Sequence, residues 1–134
     1  MSLDIAHRER EGIILIDLKG RITAGDEVCA FRAAIENATA SAGAKMILNM
    51  QGIDYVDSTG LGSMAMCAAS VRKADGTVKL LHVNHRNVEL MMMTKMDTIF
   101  ELFDDETDAV NSFFSGREIK RFDIHAFVKR MREE

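Results

Sequence analysis

Proline is absent from the 134 residues, so no turn in the chain uses it. No apolar run approaches the ~20 residues that a membrane-spanning helix needs. The segment from Met1 to Arg10 alternates charged and apolar residues and has no signal-peptide core. These two absences point to a non-exported, cytoplasmic protein with no membrane partner. Cysteine is scarce: Cys29 and Cys67 are the only two. Neither sits in a CxxC or other metal-ligand spacing, so they read as two buried thiols in a reducing compartment. The net charge of -4 gives no reason to expect direct nucleic-acid binding. There is no low-complexity segment and no internal repeat. A chain this long fits one domain and buries roughly two-thirds of its unfolded surface, so it needs no staples.

What is present is a pattern of apolar periods that changes along the chain. Leu3 to Arg8 alternates weakly, Glu11-Gly12 reads as a turn, and Ile13-Ile14-Leu15-Ile16 with Leu18 reads as a strand buried on both faces. The two strands predict an antiparallel hairpin, and Gly20 closes the second strand. Thr23 followed by Asp26 has capping-box character, and Asp26-Glu27 place acid in a first helical turn. Val28, Phe31, Ile35 and Ala38 then mark one face of a helix, with Gly43 as its C-terminal stop. Met46 to Met50 predicts a second core strand, and Ile53-Asp54-Tyr55-Val56 follows. Leu61, Met64, Ala65, Ala68 and Val71 mark another helix.

Asp75-Gly76 then turns the chain into a third core strand, Val78 to Val83. Asn87 to Met96 has helical character, and of its three consecutive methionines, Met91, Met92 and Met93, at least one must face outward. Ile99 to Phe103 predicts a short strand, and Thr107 to Phe114 a helix ending at Gly116. Strands alternating with helices of 10 to 15 residues predict an α/β fold with crossover helices.

Residues 117–134 differ in composition, with six basic and four acidic residues against 11 basic and 17 acidic in 1–116. We divide the chain there, into a domain over 1–116 and an amphipathic helical extension over 117–134. Ile119, Phe122, Phe127 and Met131 form the apolar face of that extension. It either packs on its own domain or docks a partner, a second copy of the chain included.

The segment that carries chemistry is Asp57 to Gly62. It lies between an apolar strand and an amphipathic helix, so Asp57 or Ser58 caps the free N–H groups of the helix start. Gly60 and Gly62 each cost about 1 kcal/mol relative to alanine in a helix interior. Two of them in a first turn imply close approach, either of the helix to the sheet or of another backbone or phosphate. The helix N-terminus tolerates a phosphate on Ser58, and the added charge inverts the surface potential at one spot without remodelling the fold.

Enzymatic readings of the same residues fail on spacing. A nucleophile elbow needs glycine two positions before the serine, where Val56 stands. No Gly-Lys-Ser or Gly-Lys-Thr occurs, which excludes a P-loop. Two residues separate Asp57 from Gly60, unlike the Asp-Thr-Gly of an aspartic protease. His7, His82, His85 and His125 show no spacing that makes one a base for Ser58 or a metal ligand. We therefore expect no catalytic residue, metal or cofactor.

Ile47-Leu48-Asn49-Met50 followed by Tyr55-Val56-Asp57-Ser58-Thr59-Gly60-Leu61-Gly62 resembles the signature of STAS domains, in particular the bacterial anti-sigma factor antagonists. Gly20-Arg21-Ile22, Gly76 to Val83 and Leu90 to Phe103 extend the resemblance over residues 3 to about 115. It implies a STAS fold, a small mixed β-sheet with helices packed mainly on one side. It also implies that Ser58, with Thr59 as the alternative acceptor, is phosphorylated by an anti-sigma factor that is itself a serine kinase. The unmodified form would bind that kinase, and a serine phosphatase would reverse the modification. The partner-binding loop carried over is Thr23, Asp26, Asp57, Ser58, Thr59, Gly60, Leu61 and Gly62. Many members have an acid at the position of Thr23, and here Asp26 is the nearest one. STAS domains also serve as accessory parts of transporters and sensory assemblies without regulatory phosphorylation, which is the alternative reading.

Overall fold

A computed structural model describes residues 3–39 and 42–133 and the side chains of all of these up to Arg130. Met131, assigned above to the apolar face of the extension, lies outside the described side chains. The chain opens with strands β1 (Leu3–Arg10) and β2 (Ile13–Ile22), followed by helix α1 (Asp26–Ala38), strand β3 (Lys45–Val56) and helix α2 (Ser58–Lys73). Strand β4 (Thr77–Leu81), helix α3 (His85–Met93), a 3-10 turn at Met96–Thr98 and the short strand β5 (Leu102–Phe103) complete the sheet. Helices α4 (Glu106–Asn111) and α5 (Ile124–Glu133) end the chain. The five strands lie in sequence order, β1–β2 antiparallel and the other three pairs parallel.

The expected hairpin is present, and Glu11 and Gly12 both take positive φ (53° and 82°). That conformation matches the twist of the flanking strands in a two-residue turn. Side chains then alternate across the sheet as the two-residue period dictates. Ile16, Leu18, Met46, Leu48, Met50, Leu80 and Leu102 face one core, which α1, α2 and α3 cover. Ile13, Leu15, Ile47, Leu81 and Phe103 face a smaller second core closed by Ala109, Val110, Phe113, Phe114 and Ile119.

Several boundaries differ from the sequence reading. Gly20 does not close β2, which runs on to Ile22. The apolar segments 46–50 and 53–56 form one strand, because β3 carries an extra residue at each of two points where the β2 register shifts. Each such bulge breaks the alternation that a sequence pattern relies on. Helix α1 ends at Ala38 with Thr39 as its C-cap, so Gly43 is not its stop. Strand β4 ends at Leu81, helix α3 at Met93, and only Leu102–Phe103 of the segment 99–103 is strand. Helix α4 spans Glu106–Asn111 where 107–114 was expected. Cys29 is exposed and Cys67 half-buried, so the pair of buried thiols does not hold.

The extension packs back on its own domain. Ile119 closes the second core, while Phe122, Ile124, Phe127 and the buried Val128 join the first. Phe127 meets the ring of His85 on α3 edge-on at 4.7 Å. The described apolar side chains of α5 therefore pack against the first core of the domain. Among the described residues no helix is long and apolar enough to cross a membrane.

Candidate functional site at the start of helix α2

The site exists because β3 outruns β4. Strand β4 pairs with β3 only through Asn49, and the remainder of β3 stays with β2 and delivers Tyr55 and Val56 to the start of α2. Past that point the Ile53 carbonyl is satisfied by the Asn84 side chain, whose Nδ2 donates to it at 2.9 Å. The Asn84 Oδ1 also caps α3 by accepting the Asn87 N–H at 2.9 Å. One residue thus sets the first turn of α3 opposite the first turn of α2.

Asp57 is the N-cap of α2, with Ser58 as the first helical residue. Its Oδ1 accepts the Gly60 N–H at 2.7 Å, and its Oδ2 accepts the Ala24 N–H at 3.0 Å. Its own N–H donates to the Ile22 carbonyl at 3.3 Å. The hydrogen bonds from the Ala24 and Gly60 amides hold the Asp57 carboxyl below its usual range. Asp57 therefore does the capping, and Ser58 and Thr59 are left exposed. The Ser58 hydroxyl has no hydrogen-bond partner among the described residues.

The two glycines have different reasons. A Cβ on Gly60 would stand 2.0 Å from the Ile22 carbonyl oxygen, so glycine lets the helix start lie against β2. Leu61, next to it, is buried at 7 % exposure and anchors the turn. A Cβ on Gly62 would meet nothing within 4 Å, and the position is exposed. The fold does not require that glycine.

Thr23 lies in the neighbouring β2–α1 loop, which the Asp57–Ala24 hydrogen bond ties to α2, and Asp26 follows that loop as the first residue of α1. The expected capping box is not formed. The N-cap of α1 is Gly25, without a side-chain cap, and the Thr23 hydroxyl instead donates to Glu27 Oε1 at 3.0 Å. Asp26 is exposed and makes no described hydrogen bond or ion pair with Asp57 to Gly62.

Ser58 opens onto a groove of about 620 Å³ between the end of β3, the start of α2 and the outer face of α3. Tyr55, Val56 and Leu61 form one side, and Leu90 and Met93 the other, with Arg86 and Thr94 at the α3 edge. Met93 is 79 % exposed, the outward member of the methionine run. Sequence reasoning missed Tyr55, Arg86, Leu90 and Thr94 as site residues; only the methionines gave a signal. Among the described residues no histidine lines this groove. His7, His85 and His125 are exposed elsewhere, and His82 is half-buried past the end of β4.

The family model of the STAS domain matches residues 4–109. An anti-sigma factor antagonist from Mycobacterium paratuberculosis superposes with a TM-score of 0.71 at 18% identity, covering 83% of this chain and 93% of that one. The Bacillus cell fate determinant SpoIIAA in its phosphorylated form gives 0.62 at 18% identity, covering 82% and 99%. The murine anion transporter Slc26a9 gives 0.67 at 17% identity, covering 77% of this chain but 18% of the transporter. At these identities the structures establish the fold. No curated protein sequence gives a significant match.

Proposed function

The chain belongs to the STAS-domain family, and from that premise we propose that it is an anti-sigma factor antagonist switched by phosphorylation of Ser58. The observation that carries the reading is the Ser58 hydroxyl, exposed and unbonded beside an apolar groove, on a helix start that Asp57 already caps. Unmodified, this surface binds an anti-sigma factor with serine kinase activity, in the cytoplasm. Tyr55, Leu90 and Met93 supply apolar contact area, and the open space over Gly62 admits a partner backbone. Phosphate on Ser58 adds close to two negative charges beside Asp57 and repels the partner, while the helix keeps its cap. A serine phosphatase resets the switch. Thr59, also exposed, is the alternative acceptor. The switch unit is residues 1–116, and 117–134 is an appended strap that braces α3.

The test is affinity capture with the full chain from its native cells, then incubation of the recovered kinase with the chain and Mg-ATP. Mass spectrometry is expected to place one phosphate on Ser58, and Ser58→Ala to remain unlabelled. Equal labelling of Ser58→Ala at another residue would overturn the site.

The likeness to the transporter Slc26a9 favours a second reading, an accessory role in a transporter or sensory assembly. Capture of a transporter component, with no kinase, would select it.

A further inference from the structure

The groove beside Ser58 carries a residue that the switch described above leaves without a task. Arg86, the second residue of α3, lines the groove, is exposed, and has no described hydrogen bond, ion pair or ring contact. The other charged groups on the same lining are Asp57 and Glu89. Arg21, the register partner of Tyr55, lies outside the lining. Among the described residues, Arg86 is thus the one cation opening onto the space that Ser58 opens onto.

A phosphate on Ser58 has few local partners. Asp57 already holds the Gly60 and Ala24 N–H groups, donors that would otherwise serve an anion at the helix start. The Asp57 carboxylate also repels a dianion bonded to the next residue. With those donors taken and the Asp57 charge beside it, a phosphate tolerated at the helix start gains more by extending toward the opposite wall. A guanidinium suits it there, because its planar fork matches phosphate oxygens with paired N–H donors.

We propose that phosphate on Ser58 is received by Arg86, so that modification closes the groove with an internal ion pair in addition to changing its charge. The proposal rests on Ser58 being the modified residue, and it assigns Arg86 a regulatory role in that modification. The phosphorylated protein then loses its partner in two ways: the charge repels it, and the apolar wall of Tyr55, Leu90 and Met93 is covered.

The experiment uses full-length chain with phosphoserine encoded at position 58 during translation, so it depends on no kinase. Tyr55 is the only tyrosine and the chain has no tryptophan, so its fluorescence reports on the groove alone. At 41 % exposure it is open to acrylamide in the unmodified state. Phosphoserine is expected to reduce quenching of Tyr55, and Arg86→Gln to abolish that reduction. In parallel, a ³¹P titration follows the second ionisation of the phosphate. It is expected about half a unit lower with Arg86 present than in Arg86→Gln, the size of a partly exposed ion pair. Arg86→Lys keeps the charge without the fork and is expected to fall between the two. Identical titrations and identical quenching in all three backgrounds would overturn the proposal, even if a kinase is shown to label Ser58. Failure of every kinase to label Ser58 would overturn the functional reading and leave the titration result standing.

Discussion

Gly60 and Gly62 stand two residues apart in one helix, yet the same substitution is expected to move stability in opposite directions. In Gly60→Ala the new methyl would lie 2.0 Å from the Ile22 carbonyl oxygen, 2.9 Å from the Ile22 carbonyl carbon and 3.0 Å from Val56 Cγ1. Real Cβ contacts do not fall below 3.0 Å, so the start of α2 must retreat by about 1 Å from a backbone atom of β2. Overpacking of this kind costs about 1–3 kcal/mol. The retreat also strains the Asp57 cap, worth about 1 kcal/mol. Alanine returns at most about 1 kcal/mol in helix propensity. The net expectation is a loss of about 2 kcal/mol. In Gly62→Ala nothing opposes the methyl, so propensity alone acts and stability rises by about 0.5–1 kcal/mol. Urea unfolding followed by circular dichroism measures both. With a slope of about 1–3 kcal/mol per molar, Gly60→Ala lowers the midpoint by about 1 M and Gly62→Ala raises it. A Gly60→Ala protein as stable as the parent would refute the close approach of α2 to β2. On the functional reading, Gly62→Ala gains stability but loses affinity for the anti-sigma factor, since the methyl fills space left for the partner.

Other positions give further outcomes. Asp57→Ala is expected to lose about 1 kcal/mol at neutral pH through its cap. The Asp57 pKa is depressed in the folded protein, so its contribution is complete above the unfolded value of about 3.9 and disappears as pH falls through the folded one. The stability gap between parent and Asp57→Asn, measured in urea, should therefore narrow below about pH 4. Buried Lys79 donates to the Ser112 hydroxyl at 2.8 Å and pairs with Glu101 at 3.2 Å, tying β4 to the end of α4. Lys79→Ala should cost about 1–3 kcal/mol of unfolding free energy by stranding those groups. Phe127→Ala removes the ring that packs on His85 and Phe122. Because Phe127 is only half-buried, the substitution is expected to cost less than the about 3–5 kcal/mol of a core phenylalanine and to release α5 first. Hydrogen exchange should then quicken at 124–133 while α2 stays protected.

The order of strands and helices was legible because most elements keep their own period. Ile13, Leu15 and Ile16 announce a strand buried on both faces, and Leu61, Met64, Ala68 and Val71 announce one face of a helix. The joined β3 was not legible, because two extra residues break its alternation between Met50 and Tyr55. The cap of α1 was misread because Thr23 finds Glu27 in place of a backbone N–H. Ser58 and its cap were visible as a local motif. The groove was not: its walls come from β3, α2 and α3, and nothing in the spacing of Tyr55 and Arg86 places them together. Only the surplus of methionine in α3 hinted at an exposed apolar face, and Met93 supplies it.

The most direct test of the switch is calorimetric titration of the captured anti-sigma kinase into unmodified chain and into chain carrying phosphoserine at position 58. The account predicts tight binding of the first and a loss of at least about ten-fold, or 1.4 kcal/mol, in the second. Equal affinity for both forms would contradict it, whatever residue a kinase labels.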